Sequence, residues 1–257
     1  MFSANLQNEA LSMLPVAGRL VGMLLIAPAF GHIAVPVKVR VLLGLVMSLA
    51  VVGRLGESVA PPSGLGELLL ATAAEFVTGA VIGYAAGLLL VGIEMAAFHV
   101  SQQLGLALGD VFDPMSGEAG GVVRPLFDIL AVVIFLLVGG HRALIAAAID
   151  TFRMARPLSG LGVGGLLNMT VSLLAASFVL ALKAAGPVLI TMLLVTAALG
   201  ILQKSMPECH ILSTHLPVRV MAGMLALAAS VGVLLPLINA SVEALVKSVS
   251  ALAAGGT

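Results

Sequence analysis

Six apolar runs, 10–30, 41–53, 65–98, 126–150, 166–202 and 218–246, fill most of the chain and limit its fold more than any other feature. A bilayer core takes roughly 20 residues of helix to cross. Run 41–53 is too short for that, while 65–98 and 166–202 are too long. Lys183, Gly186 and Pro187 stand at the centre of the last of these. Proline removes a helical N–H and disfavours helix in the residue before it. A bend is therefore expected there, leaving two arms of about 16 residues, roughly 24 Å each. Gly139-Gly140-His141-Arg142 likewise interrupts run 126–150. Short helical hairpins packed on other protein fit these lengths better than independent lipid-facing spans.

The chain is 60% hydrophobic and 9% charged, with a mean hydropathy of +1.19. Soluble domains carry about 25% charged residues, so the expected class is an all-α membrane protein. Twelve basic and twelve acidic residues balance, which leaves no basic surplus for nucleic acid. Cys209 is the sole cysteine, so no intrachain disulfide forms. The opening MFSANLQNEA lacks the basic region of a cleavable signal, and internal segments are expected to direct insertion. No Ser/Pro-rich linker or charge block divides residues 1–257, which read as one membrane-embedded unit. Lys38, Arg40, Arg124, Lys204 and Arg219 fall on one set of alternate loops, and Arg54, Arg153, Arg156 and Lys247 on the other. That bias does not orient the chain. Trp is absent and Tyr84 is the only tyrosine, so an interfacial aromatic belt is missing. Its absence again suggests helices surrounded by polypeptide.

Residues 99–121, HVSQQLGLALGDVFDPMSGEAGG, are polar and glycine-rich within this oily chain. As irregular backbone they cannot face lipid, because each unpaired N–H or C=O costs several kcal/mol there. The segment must meet water, a pore or other protein. Upstream, Glu75, Gly79, Gly83 and Gly87 recur every four residues, and Glu94 follows on nearly the same side. Small residues at this spacing let helix backbones approach closely, so the row is expected to be a helix–helix interface. Glu75, Glu94, Arg19, Arg142 and Lys183 are charges inside apolar runs, where charge is expensive and points to function or to pairing. Interruptions explain Arg142 and Lys183 as bend residues; Glu94, beside the polar segment, is the leading functional candidate. Arg124, Pro125 and Asp128 form a helix start, with proline suited to the first position and the acid to the dipole.

Glu208, Cys209, His210 and His215 match no standard zinc spacing, and His99 and His141 are isolated. No GxSxG, HExxH, Walker A or GxGxxG pattern occurs. Gly162-Val163-Gly164-Gly165 has neither a lysine nor an adjoining strand, and reads as a turn. No metal, cofactor or enzymatic activity is expected.

The motifs in order resemble the FliR family of flagellar export-gate proteins and its virulence type III secretion relatives. The resemblance runs along most of the chain. It starts with Pro28 and Val35-Pro36-Val37-Lys38-Val39-Arg40, then Glu94, Gln103-x-Gly105 and Asp113-Pro114-x-Ser116-Gly117. Gly140-His141 follows, with Asp150-Thr151-Phe152 nine residues on, then Met206-Pro207 and Leu216-Pro217-Val218. Asp-Pro-x-Ser-Gly favours the flagellar branch, since virulence homologues tend to have Asn-Gln-Arg-Gly where this chain has Gln102-Gln103-Leu104-Gly105. The chain departs from flagellar relatives at Cys209, His210 and His215, which bears on packing of that loop.

The resemblance implies a non-enzymatic subunit of an export gate in the bacterial inner membrane, at the flagellar basal body. It implies assembly with FliP-like and FliQ-like small membrane subunits, an FlhB-like subunit at the entrance, and unfolded export substrates in the pore. It also implies tilted, interrupted helical hairpins packed in a hetero-oligomer, in contact with membrane lipid. The family's pore plug maps onto Gly105, Leu106, Leu108, Gly109, Val111, Phe112, Asp113 and Pro114. Phe112 matches an aromatic position of that loop, whereas Leu108 and Val111 stand where bulkier aromatics occur. Aliphatic side chains still dewet a narrow constriction.

A virulence-type export subunit is one alternative. Another is an ion-coupled secondary transporter with Glu94, Glu75 and Lys183 near the midplane, since broken helices also mark transporters. No internal repeat supports it. An intramembrane hydrolase lacks a visible nucleophile–base pair.

Overall fold

The computed structural model describes residues 2–28, 30, 35–55, 64–105, 123–154, 163–205 and 211–254. Among them the chain forms α-helices and no strand. These are α1 (Phe2–Ile26), α2 (Val37–Leu55), α3 (Leu65–Leu104), α4 (Val123–Leu137), α5 (Gly140–Met154), α6 (Val163–Ser205) and α7 (Ile211–Ala254). An all-α membrane protein fits these long apolar runs, because a helix satisfies its backbone groups within one segment even in hydrocarbon.

The helix ends follow local chemistry. Pro36 starts α2, its carbonyl accepting from Val39 and Arg40 N–H at 2.9 and 3.3 Å. Gly105 closes α3 in the left-handed region, with φ 78°. Gly139, also at φ 78°, separates α4 from α5, and its carbonyl receives the Arg142 and Ala143 N–H groups at 3.0 Å. Glycine suits both places because a Cβ penalises positive φ. The interruption expected at 139–142 is thus a true helix break.

Pro187 behaves differently. The expected pair of arms is instead one helix, α6, of 43 residues with the proline inside it. One lost backbone bond does not stop a helix in apolar surroundings, where no water competes for the remaining ones. Proline also lies within α1 at Pro15 and within α7 at Pro217 and Pro236. Hydroxyls add local bonds: Thr191 donates to the Pro187 carbonyl at 2.8 Å. Thr72, Thr78, Thr170, Thr196, Ser241 and Ser248 each donate in the same way to the carbonyl four residues back.

Leu65–Leu104, Gly164–Lys204 and Pro217–Ala251 are long and apolar enough to cross a membrane. The two helices flanking Gly139 reach that length only if counted together.

The chain groups into two compact units. The first holds residues 1–88, 139–175 and 242–257; the second holds 89–138 and 176–241. Fully buried Leu20, Met23 and Leu24 of α1, Ile82 of α3, Leu144 of α5 and Leu245 of α7 belong to the first. Phe127 and Phe135 of α4, Ile93 of α3 and Met192 of α6 are buried in the second.

Candidate functional site: glycine seams and two charge pairs

In the first unit, α1 and α3 meet backbone to backbone. A Cβ on Gly79 would overlap the Arg19 carbonyl, and one on Gly83 would lie 2.5 Å from the Met23 carbonyl oxygen. The contact is reciprocal: Gly22 lies against the Phe76 carbonyl and Gly18 against Thr72, where a Cβ would sit 2.9 Å from the oxygen. Gly87 has open space around it. On the other side of α1, Gly44 of α2 packs on Val21, and Arg40 Nη1 donates to the Leu25 carbonyl at 3.2 Å, at the negative end of the α1 dipole.

A buried ion pair sits at this seam. Arg19 Nε donates to Glu75 Oε2 at 2.5 Å, with the side chains 1% and 2% exposed. Arg19 Nη1 donates to Thr151 Oγ1 at 2.8 Å, and the guanidinium carbon lies 4.2 Å from the Phe152 ring centre. Thr151 in turn donates to the Ala148 carbonyl at 2.6 Å, which leaves its oxygen lone pairs facing Arg19. Cation–π contact and charge-assisted bonds reinforce one another where water is excluded.

The second unit has its own close approach and its own pair. Gly92 of α3 abuts α6, where a Cβ would lie 2.5 Å from the Ser177 carbonyl oxygen. Glu94 Oε2 and Arg124 Nη2 are 3.5 Å apart and about two-fifths exposed, at 40% and 41%. Asp128 stands one turn beyond Arg124 on α4, its Oδ1 buried without a hydrogen-bond partner. Arg219 Nη2 of α7 donates to Gln103 Oε1 of α3 at 3.2 Å.

The sequence-derived row of five is thus split. Glu75, Gly79 and Gly83 face α1, Gly87 faces open space, and Glu94 pairs with α4. Arg142 and Lys183 are exposed. Gly18 and Gly22, four residues apart around Arg19, mark α1 as a helix open to close approach, but they do not name Glu75 as the partner of Arg19. Of the eight plug positions, Gly105 is described as the turn after α3. Leu106, Leu108, Gly109, Val111, Phe112, Asp113 and Pro114 lie outside the described residues, as do Cys209 and His210. Among the described residues no group of three His, Cys, Asp or Glu could hold a metal. These contacts fasten helices to one another; none pairs a nucleophile with a base.

A profile of the family described as "Bacterial export proteins, family 1" matches residues 10–245. The chain belongs to that family. Similar proteins include the flagellar biosynthetic protein FliR of Pectobacterium carotovorum subsp. carotovorum, 28% identical over 234 residues, which cover 90% of this chain and 87% of that protein. The protein of the same name from Escherichia coli K12 is 26% identical over 223 residues, 86% and 82% of the two chains. That of Bacillus subtilis 168 is 23% identical over 204 residues, 78% of each. In this member of the bacterial export family, the matched span takes in the α1–α3 seam, the Arg19–Glu75 pair and the Glu94–Arg124 pair.

Proposed function

We propose that the whole chain acts as one non-enzymatic, membrane-embedded subunit of the flagellar type III protein-export gate, in the bacterial inner membrane. The observation that carries this beyond family membership is the bareness of the long helices. In the most apolar stretch of α6 only 17% is buried within the chain, and in that of α7 only 28%. These predominantly apolar helices, of 41 and 35 residues, exceed what a bilayer of about 30 Å covers. Other polypeptide is the natural cover for the excess. FliP-like and FliQ-like small subunits and an FlhB-like subunit are the proposed partners, and unfolded flagellar proteins the cargo. Residues Gly105 to Pro114 are proposed to plug the closed pore.

The test is a mild-detergent pull-down of tagged chain, co-expressed with its neighbouring genes, followed by intact-complex mass spectrometry. One copy of this chain with several copies of small hydrophobic subunits is expected. A stable monomer or homodimer would overturn the gate assignment.

Half-exposed Glu94 on an apolar helix favours a second reading, an ion-coupled transporter, and Glu94→Gln separates the two. Its pair with Arg124 is long and partly solvated, so neutralisation should cost less than about 1 kcal/mol. A gate subunit is expected to keep export within about threefold of the parent in a secretion assay. Ion-driven small-solute uptake by the chain reconstituted alone, abolished by Glu94→Gln, would favour the transporter.

A further inference from the structure

We propose that α1 is a docked helix rather than a self-sufficient span, and that Arg19 is the positioning residue that latches it onto α3 and α5. Arg19 stands in α1 between the fully buried Val16 and Leu20 and is itself only 1% exposed. A helix with a buried cation among its apolar residues has no stable place of its own in an apolar phase.

Its stability must come from elsewhere in the chain, and the partners are far off in sequence. Glu75 is 56 residues from Arg19 and Thr151 is 132. The guanidinium uses a different part of itself for each: Nε toward α3, Nη1 toward α5, and its face toward the Phe152 ring. Only arginine offers an edge donor, a second donor and a flat cationic face together; lysine is a point charge on a flexible stem. The latch also sits at the closest approach of the two backbones, since Gly79 of α3 rests on the Arg19 carbonyl itself. Moving α1 off α3 therefore strips Arg19 from Glu75 in the same motion.

A buried pair has a characteristic mutational signature. Removing one charge leaves the other buried and uncompensated, whereas removing both leaves none. Ala17, next to the latch and buried, serves as a reporter when replaced by cysteine in a full-length Cys209→Ser chain. The rate of maleimide labelling in detergent micelles then reads how often α1 undocks. Relative to the Ala17→Cys parent, Arg19→Gln and Glu75→Gln are expected to label at least tenfold faster. Arg19→Lys, which keeps the charge but loses the second donor and the flat face, should label faster than the parent and slower than Arg19→Gln. The double variant Arg19→Gln/Glu75→Gln should return to within threefold of the parent. Single variants labelling at the parent rate, or a double variant as fast as the singles, would overturn the latch. Should the single variants fail to accumulate, Thr151→Val decides: labelling at least threefold faster supports the proposal, and the parent rate overturns it.

Discussion

Gly79→Ala is expected to destabilise the isolated chain by about 3 kcal/mol, a large effect for one methyl group. The added Cβ would overlap the carbonyl of Arg19, which is backbone and cannot swing aside. Helix α1 must therefore back away, and its retreat draws the Arg19 guanidinium from Glu75 and Thr151 at the same time. Packing loss and charge exposure add in one variant. Gly87→Ala, two turns further along the same helix, is the matched control. Its Cβ meets nothing within 4 Å, and alanine is the better helix former by about 1 kcal/mol. The control is expected to be as stable as the parent or slightly more so. Denaturant titration of both variants in detergent, followed by far-UV circular dichroism, checks the pair. Equal midpoints would mean that α1 and α3 are not joined through this seam.

Deleting residues 106–111 is expected to have the largest functional effect. In the assembled complex, reconstituted into vesicles, small-ion conductance should rise at least tenfold. Six residues of extended chain measure about 20 Å, ample to fill a narrow constriction. Leu106, Leu108 and Val111 within the deleted stretch are aliphatic and repel water from such a passage. The deletion leaves Gly105 in place, so the left-handed turn that closes α3 is retained and the seams in both units are untouched. Complexes that assemble with normal stoichiometry yet conduct no more than the parent would count against a plug in this segment.

Much of the helical layout was legible from local residue types. The Gly139-Gly140 pair announced a break because a left-handed residue there needs glycine. The four-residue row on α3 announced a close approach, and Gly79 and Gly83 make one. The row has limited reach for a geometric reason. Four residues advance a helix by slightly more than a turn, so the face drifts by about 120° between Glu75 and Gly87. That drift carries Gly87 off α1. Pro187 misled in the opposite direction, because rules for proline weigh a broken helix against water and α6 has little water to turn to. The Arg19–Glu75 pairing could not be derived at all. Both residues stood out as buried charges, but their meeting depends on how α1 returns to α3, and no local spacing encodes that.

The threonine and serine bonds within the long helices have a wider consequence. Each hydroxyl proton is already committed to a carbonyl one turn back, on Thr72 and Thr78 in α3, Thr170 and Thr196 in α6, and Ser241 and Ser248 in α7. These hydroxyls therefore offer no free proton to whatever lies beside them. At these six positions a lipid chain and a packed helix meet the same committed donor, so one can replace the other without breaking a hydrogen bond.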